Sequence, residues 1–250
     1  MNDDLIIKVE NLSASFGGRQ ILDDISFEAF QNQITVILGK SGSGKTVTLK
    51  HLLGLLPVQE GRILVNGRRI EDCEEEEMKQ LRLQMGVLFQ NGALINSLTV
   101  AENIAIPLEQ HTNLPSKLID RLIRIKLKLV GLEKAGDLLP SQLSGGMRKR
   151  AALARALALD PPLIFCDEPS AGLDPVTLEA LDRLILNLKN QLRMTIILVT
   201  HEVSSIFRLA DRVIFLEEGR VSYEGDLERA LESKIPAISN FFTKAKGKMN

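Results

Sequence analysis

A short apolar run at residues 34–38 ends in Gly39, and the stretch that follows constrains the chain more than any other. Gly39, Lys40, Ser41, Gly42, Ser43, Gly44, Lys45 and Thr46 match the pattern G-x-x-x-x-G-K-[ST]. Glycines let backbone N–H groups turn inward and approach an anion with no Cβ in the way. A helix that starts directly after the loop adds the positive end of its dipole to the same anion. In this pattern the lysine, here Lys45, places a point charge on the β- and γ-phosphates of a nucleotide, and the hydroxyl, here of Thr46, reaches Mg²⁺. The stretch therefore predicts buried strand, phosphate-binding turn and helix in succession, with ATP and Mg²⁺ as ligands.

The rest of the hydrophobic pattern supplies a matching α/β frame. Strand-like stretches at 6–13 and 25–30 precede the loop, and the helix after it, through Leu49, Leu52 and Leu53, should stop near Gly54 and Pro57. Residues 61–67 read as a short strand between turn glycines. From 94 to 159 the pattern turns helical, with apolar residues at helical spacing in 99–108 and 117–130. Strand character returns at 163–166 and 195–200; between them Leu178, Leu181, Ile185, Leu188 and Leu192 share one helical face. Strand, helix, strand in that order implies parallel pairing through right-handed crossovers. A hairpin is expected at 213–216 and 221–224 around Glu218 and Gly219. Residues 241–250 carry Lys244, Lys246 and Lys248 and read as a loose basic tail.

Bulk properties narrow the class. The 250 residues are 25% charged and 44% hydrophobic, which is ordinary for a globular domain with a buried core. A formal net charge of -1 argues against nucleic acid as a partner. Cys73 and Cys166 have no metal-ligand spacing and fit a reducing compartment. The N-terminus lacks the basic and apolar regions of a signal peptide, and no apolar run approaches the roughly 20 residues a spanning helix needs. A membrane role is expected only through a partner.

Two further motifs carry chemistry. Residues 163–166 lead into Asp167 and Glu168, two carboxylates at the end of an apolar strand. Acids there either meet solvent at a strand end or answer to a cation, because uncompensated buried charge is costly. The glycine loop favours the second reading: Asp167 holds Mg²⁺ and Glu168 polarises the attacking water as general base. Leu143, Ser144, Gly145, Gly146 and Met147 precede a helix expected over 148–159. Ser144 can cap it, and the glycines leave its first N–H groups open to an anion, although an ordinary helix cap would use the same residues. Arg148, Lys149 and Arg150 read as a solvated or partner-facing surface, the acidic run 74–77 as a solvated first helical turn, and Cys166 as a small buried apolar residue.

Taken in order, these motifs resemble the nucleotide-binding subunit of an ATP-binding cassette (ABC) transporter, over residues 6–230. The set comprises 39–46 as Walker A, Gln90 as the Q-loop, 143–147 as the signature, 163–168 as Walker B, Ser170 to Asp174 as the D-loop, and His201 as the switch histidine. The resemblance implies a P-loop NTPase ABC ATPase core with a mostly parallel sheet, an N-terminal antiparallel β subdomain and an inserted helical subdomain at 91–160. It makes residues 1–240 one nucleotide-binding domain, followed by the tail. It assigns Phe16 to the adenine ring, Gln90 to Mg²⁺ and the attacking water, and His201 to the γ-phosphate. Ser144, Gly145 and Gly146 would bind ATP held by a second copy in a head-to-tail dimer.

Within the family, Met147 replaces the commoner glutamine. That change, with residues 89–94, 97–108, 147–157 and 167–175, is similar to the ATPases of Mla-type, MCE-linked phospholipid transporters. This implies an integral membrane permease, a periplasmic MCE-domain protein and a small STAS-type cytosolic subunit as partners, at the cytoplasmic face of an inner membrane. An importer ATPase for amino acids or another small solute, and a soluble ABC ATPase of iron–sulfur assembly, remain open alternatives.

Overall fold

The structure, a computed structural model, describes residues 4–249, with side chains through residue 243. In chain order the elements are β1 (Leu5–Phe16), β2 (Arg19–Phe30), β3 (Ile34–Gly39), α1 (Lys45–Leu52), β4 (Glu60–Val65), β5 (Arg68–Arg69), α2 (Glu75–Leu83), β6 (Met85–Leu88), α3 (Val100–His111), α4 (Ser116–Leu129) and α5 (Gly145–Ala156). There follow β7 (Leu163–Asp167), α6 (Pro175–Leu192), β8 (Thr195–Val199), α7 (Val203–Leu209), β9 (Arg212–Glu217), β10 (Arg220–Asp226), α8 (Leu227–Leu231) and α9 (Pro236–Met249). They divide into two compact units, one of residues 1–81 with 195–250 and one of residues 82–194.

In the first unit, β2, β1, β4 and β5 form an antiparallel sheet. Its first two strands are longer than the apolar pattern indicates because Gly17 and Gly18, at φ 56° and 77°, close a tight hairpin through polar residues. The strand set β10-β9-β3-β8 has β3 parallel to both of its neighbours. All six residues of β3 are buried, as expected of a strand covered on both faces. Asp211 fixes its start: Oδ2 accepts from Ile34 N at 2.7 Å while Asp211 N donates to Ile34 O at 3.0 Å. β9 and β10 form the expected hairpin, turning at Glu218 and Gly219 with φ 48° and 81°. Residues 241–249 are not a loose tail but continue α9, which Phe241 anchors by an edge contact to Phe215 and Phe242 by a tilted ring contact to Phe207. The side chains of Lys244, Lys246 and Lys248 lie outside the described residues.

In the second unit, β6 and β7 pair in parallel and four helices surround them. Thr99 and Glu102 start α3 with a reciprocal capping box, Glu102 N donating to Thr99 Oγ1 at 3.2 Å and Thr99 N to Glu102 Oε2 at 2.7 Å. α5 begins three residues earlier than expected, and Ala151, Ala152 and Ala154 lie buried along it. Such small side chains let neighbouring backbone come close: a Cβ on Gly86 of β6 would lie 2.4 Å from Ala156 O. Among the described residues no helix is long and apolar enough to cross a membrane.

Candidate active site

The glycine loop leaves the C-terminal end of β3 and is shaped by positions only glycine can fill. Gly39 sits at φ 151°, where an added Cβ would lie 2.1 Å from Leu216 O and 2.8 Å from Ser43 Oγ. Gly44, at φ 103°, precedes α1 without any side-chain cap, so no side chain claims the first N–H groups of that helix. Lys45 is buried, and its Nζ donates to Gly39 O and Lys40 O, each at 2.9 Å, drawing the loop around the ammonium. Ser43 Oγ is buried with no protein partner, a polar group that a phosphate oxygen would satisfy. Gly42 (φ 80°), Lys40 and Ser41 complete the rim of a cavity of about 480 Å³. The Cβ-free cradle and the orphaned hydroxyl fit a phosphate chain.

The β1–β2 hairpin supplies Arg19, Gln20 and Ile21 to the same cavity wall. Phe16, at the hairpin tip, is 39% exposed and does not line that cavity. Thr46 is exposed on the first turn of α1. His201 follows β8 and is also exposed. Strands β3 and β8 are parallel with Ile37 opposite Val199, so the residues two positions on, Gly39 and His201, leave the sheet at the same end.

The second unit gathers the remaining candidates. β7 is buried throughout and ends on Asp167, which is 9% exposed. Glu168 follows with φ 45°, a left-handed conformation that a non-glycine residue adopts at a cost. β6 and β7 pair with Leu88 opposite Cys166, so Gln90 and Glu168 emerge at one end. The Gln90 side chain is exposed, while its carbonyl accepts from Lys149 Nζ. Lys149 is not part of a surface run but buried, because it falls three and four residues before Ala152 and Leu153 on the inward face of α5. That helical spacing was the available signal. Burial lowers the Lys149 pKa, and the carboxylates of Glu168 and Asp167 pull it back up. The neighbouring Cys166 thiol is buried and pushed up to about 12, consistent with a packing role.

Ser144 caps α5, its Oγ accepting from Met147 N at 3.3 Å. Gly145 and Gly146 form the first turn, and a Cβ on Gly146 would lie 2.4 Å from Thr177 Cγ2 on α6. Asp174 caps α6 by accepting from Val176 N and Thr177 N, and the bonds to Thr177 hold its carboxyl below the usual range. The donors expected for Mg²⁺ are a hydroxyl at Thr46, a carboxylate at Asp167 and an amide oxygen at Gln90, all hard ligands. Among the described residues no cluster of three or more His, Cys, Asp or Glu forms a metal cage.

A family model for the ABC transporter matches residues 22–171, from β2 through Asp167 and Glu168. The chain belongs to the ABC transporter ATPase family. The intermembrane phospholipid transport system ATP-binding protein MlaF of Haemophilus influenzae is 42% identical over 96% of this chain and 91% of that protein. The probable ribonucleotide transport ATP-binding protein mkl of Mycobacterium leprae is 41% identical over 94% of this chain and 68% of that protein. A solved ATP-binding cassette, a dimer in a post-hydrolysis state bound to ADP and phosphate, matches with a TM-score of 0.80 at 30% identity. That match covers 89% of this chain and 99% of the other. This ABC ATPase therefore has the P-loop α/β fold and hydrolyses ATP to power a transporter.

Proposed function

We propose that this ABC ATPase drives phospholipid movement between an inner and an outer membrane, from the cytoplasmic face of the inner membrane. The 42% identity to MlaF over almost the full length of both chains supports the cargo class. Met147, in place of the commoner glutamine of the signature, supports it further. The partners in this reading are an integral permease, a periplasmic MCE-domain protein and a STAS-type subunit. Residues 1–240 act as one nucleotide-binding domain with a helical subdomain at 91–160.

Each site residue has a role. The loop of Gly39, Lys40, Ser41, Gly42, Ser43, Gly44 and Lys45 wraps the β- and γ-phosphates, with Phe16 against adenine. Mg²⁺, when bound, would neutralise charge on the phosphate oxygens, and Thr46, Asp167 and Gln90 would hold it. Glu168 takes a proton from the attacking water, Gln90 orients that water, and His201 contacts the γ-phosphate. Ser144, Gly145 and Gly146 of one copy bind the ATP of the other, so nucleotide closes a head-to-tail dimer and hydrolysis reopens it.

The observation that carries the hydrolytic assignment is Glu168 itself, held at φ 45° directly beyond a buried strand and beside Asp167. Glu168→Gln should retain ATP, accumulate a closed dimer and lower kcat by about 10²–10⁴-fold. Turnover close to that of the parent chain would remove Glu168 from the role of base. The cargo is tested separately, by purifying the ATPase from detergent-solubilised membranes. A permease and a lipid-bearing MCE protein should accompany it. Recovery with a permease and a solute-binding protein, or with soluble assembly factors alone, would overturn the lipid reading.

A further inference from the structure

Three consecutive-region carbonyls after β6 accept hydrogen bonds from two cations of one helix. Lys149 Nζ donates to Gln90 O. Arg155 Nη2 donates to Gly92 O at 3.0 Å, and its Nη1 to Ala93 O at 2.7 Å. Both cations belong to α5, the helix that Ser144 caps. The turn they hold is irregular: Gly92 and Ala93 lie at φ 74° and 50°, and Gly92 N donates to Phe89 O at 2.8 Å. α5 also lies hard against it, since a Cβ on Gly92 would come 3.3 Å from Ala152 Cβ.

The acceptors are all main-chain atoms. The cations therefore fix the course of the backbone and leave the Gln90 side chain exposed for work. Lys149 is 7% exposed, so its ammonium has given up most of its water. A buried cation keeps its charge where polar partners compensate it, and here these are the Gln90 carbonyl together with the field of Glu168 and Asp167. A solvated helix face would need none of this.

We propose that Lys149 is a positioning residue for hydrolysis. With Arg155 it ties the main chain of residues 90–93 to α5, so that the Gln90 side chain is presented by the same rigid element that begins at Ser144. The inference rests on the role of Gln90 proposed above. Removing the Lys149 donor takes that partner from the part-buried Gln90 carbonyl and frees the turn to shift. A displacement of about 1 Å at a residue that orients a reactant costs on the order of 100-fold in rate.

The test is a double-mutant cycle on the full chain purified with its transporter. Lys149→Met keeps the stem and removes the donor. It should lower kcat by about tenfold or more while KM for ATP stays within about twofold, and Lys149→Arg should recover part of the loss. In a Gln90→Ala chain the same Lys149→Met change should cost less than about twofold, because the side chain it positions is already gone. Equal losses in the two backgrounds, or an unchanged kcat in Lys149→Met alone, would overturn the assignment. An unchanged kcat in Gln90→Ala alone would remove the Gln90 role and this inference with it. Multiplying losses would remove only the part given to Lys149. Should Lys149→Met not fold, Lys149→Gln, which retains an N–H donor of shorter reach, goes through the same cycle with the same criteria.

Discussion

Two helix starts in this protein carry glycines, and they are built for different tasks. α1 follows Gly44 at φ 103° with no side-chain cap, and the loop before it closes around the Lys45 ammonium. α5 follows Ser144 in extended backbone, and the serine hydroxyl already accepts from Met147 N. The glycines differ as well. Gly39, Gly42 and Gly44 hold positive φ values that side-chain-bearing residues rarely adopt. Gly146 has no such conformation; it is needed because α6 comes within 2.4 Å of where its Cβ would be. One start is an uncapped loop closed around its own cation, which in the proposed reading cradles the phosphates. The other is a close helix contact with a few donors to spare, suited to completing a site whose affinity is set elsewhere.

The largest effect that would break this contrast is at Lys45. Lys45→Ala removes a cation that can bond two phosphates, each charge-assisted bond being worth about 1.5–3 kcal/mol. Calorimetric titration of the isolated chain should show ATP affinity lowered by about 100-fold or more. An affinity unchanged from the parent would mean that the loop backbone alone carries binding, and the distinction between the two helix starts would fail.

The next effect, at Gly146, should spare binding. The Cβ of Gly146→Ala meets Thr177 Cγ2 at 2.4 Å, so either the Thr177 side chain or the start of α5 must shift. Overpacking of this kind costs about 1–3 kcal/mol of stability; because the displaced start of α5 completes the second copy's site in the proposed dimer, turnover should fall by about tenfold or more while ATP affinity of the isolated chain stays within about twofold. Thr177→Ser in the same chain deletes the offending methyl, keeps the hydroxyl beside Asp174, and should restore most of the turnover. No recovery would place the cause at the phosphate rather than at the helix contact.

The sequence made one of these helix starts much plainer than the other. The α1 loop was legible because residue type and order alone demand its conformation: three glycines, a lysine and a hydroxyl behind an apolar strand. Asp167 and Glu168 were legible for a related reason, since an apolar strand ending in acids is unusual. The full length of the β1–β2 hairpin is hidden in the sequence because its exposed tip, residues 15–20, rests on a turn and Asp23 and Asp24 interrupt the apolar alternation of β2. The burial of Lys149 is hard to see in the sequence because a charged residue in a basic run looks solvated until its helical phase against Ala152 and Leu153 is counted. The course of residues 90–93 was invisible, since its support is carbonyl-to-cation bonding from residues far along the chain. Pattern reveals what local chemistry compels, and a main-chain clamp leaves no pattern.

The smallest effect sharpens the comparison most, because it separates the two uses of Ser144. As a helix cap its loss costs about 1 kcal/mol, so Ser144→Ala should lower the melting temperature of the nucleotide-free chain by about 2–4 °C. Ser144→Asp keeps a cap acceptor and adds a negative charge at the positive end of α5, so it should bring the melting temperature back to the parent value. The same carboxylate repels a phosphate approaching that helix start. If Ser144 serves only as a cap, Ser144→Asp behaves like the parent protein in ATP-driven dimerisation, measured by light scattering with the Glu168→Gln background to prevent turnover. If it also faces the nucleotide of a second copy, the repaired cap and the lost dimer appear together in one variant. Stability is then restored while assembly is lost, which a purely structural serine cannot produce.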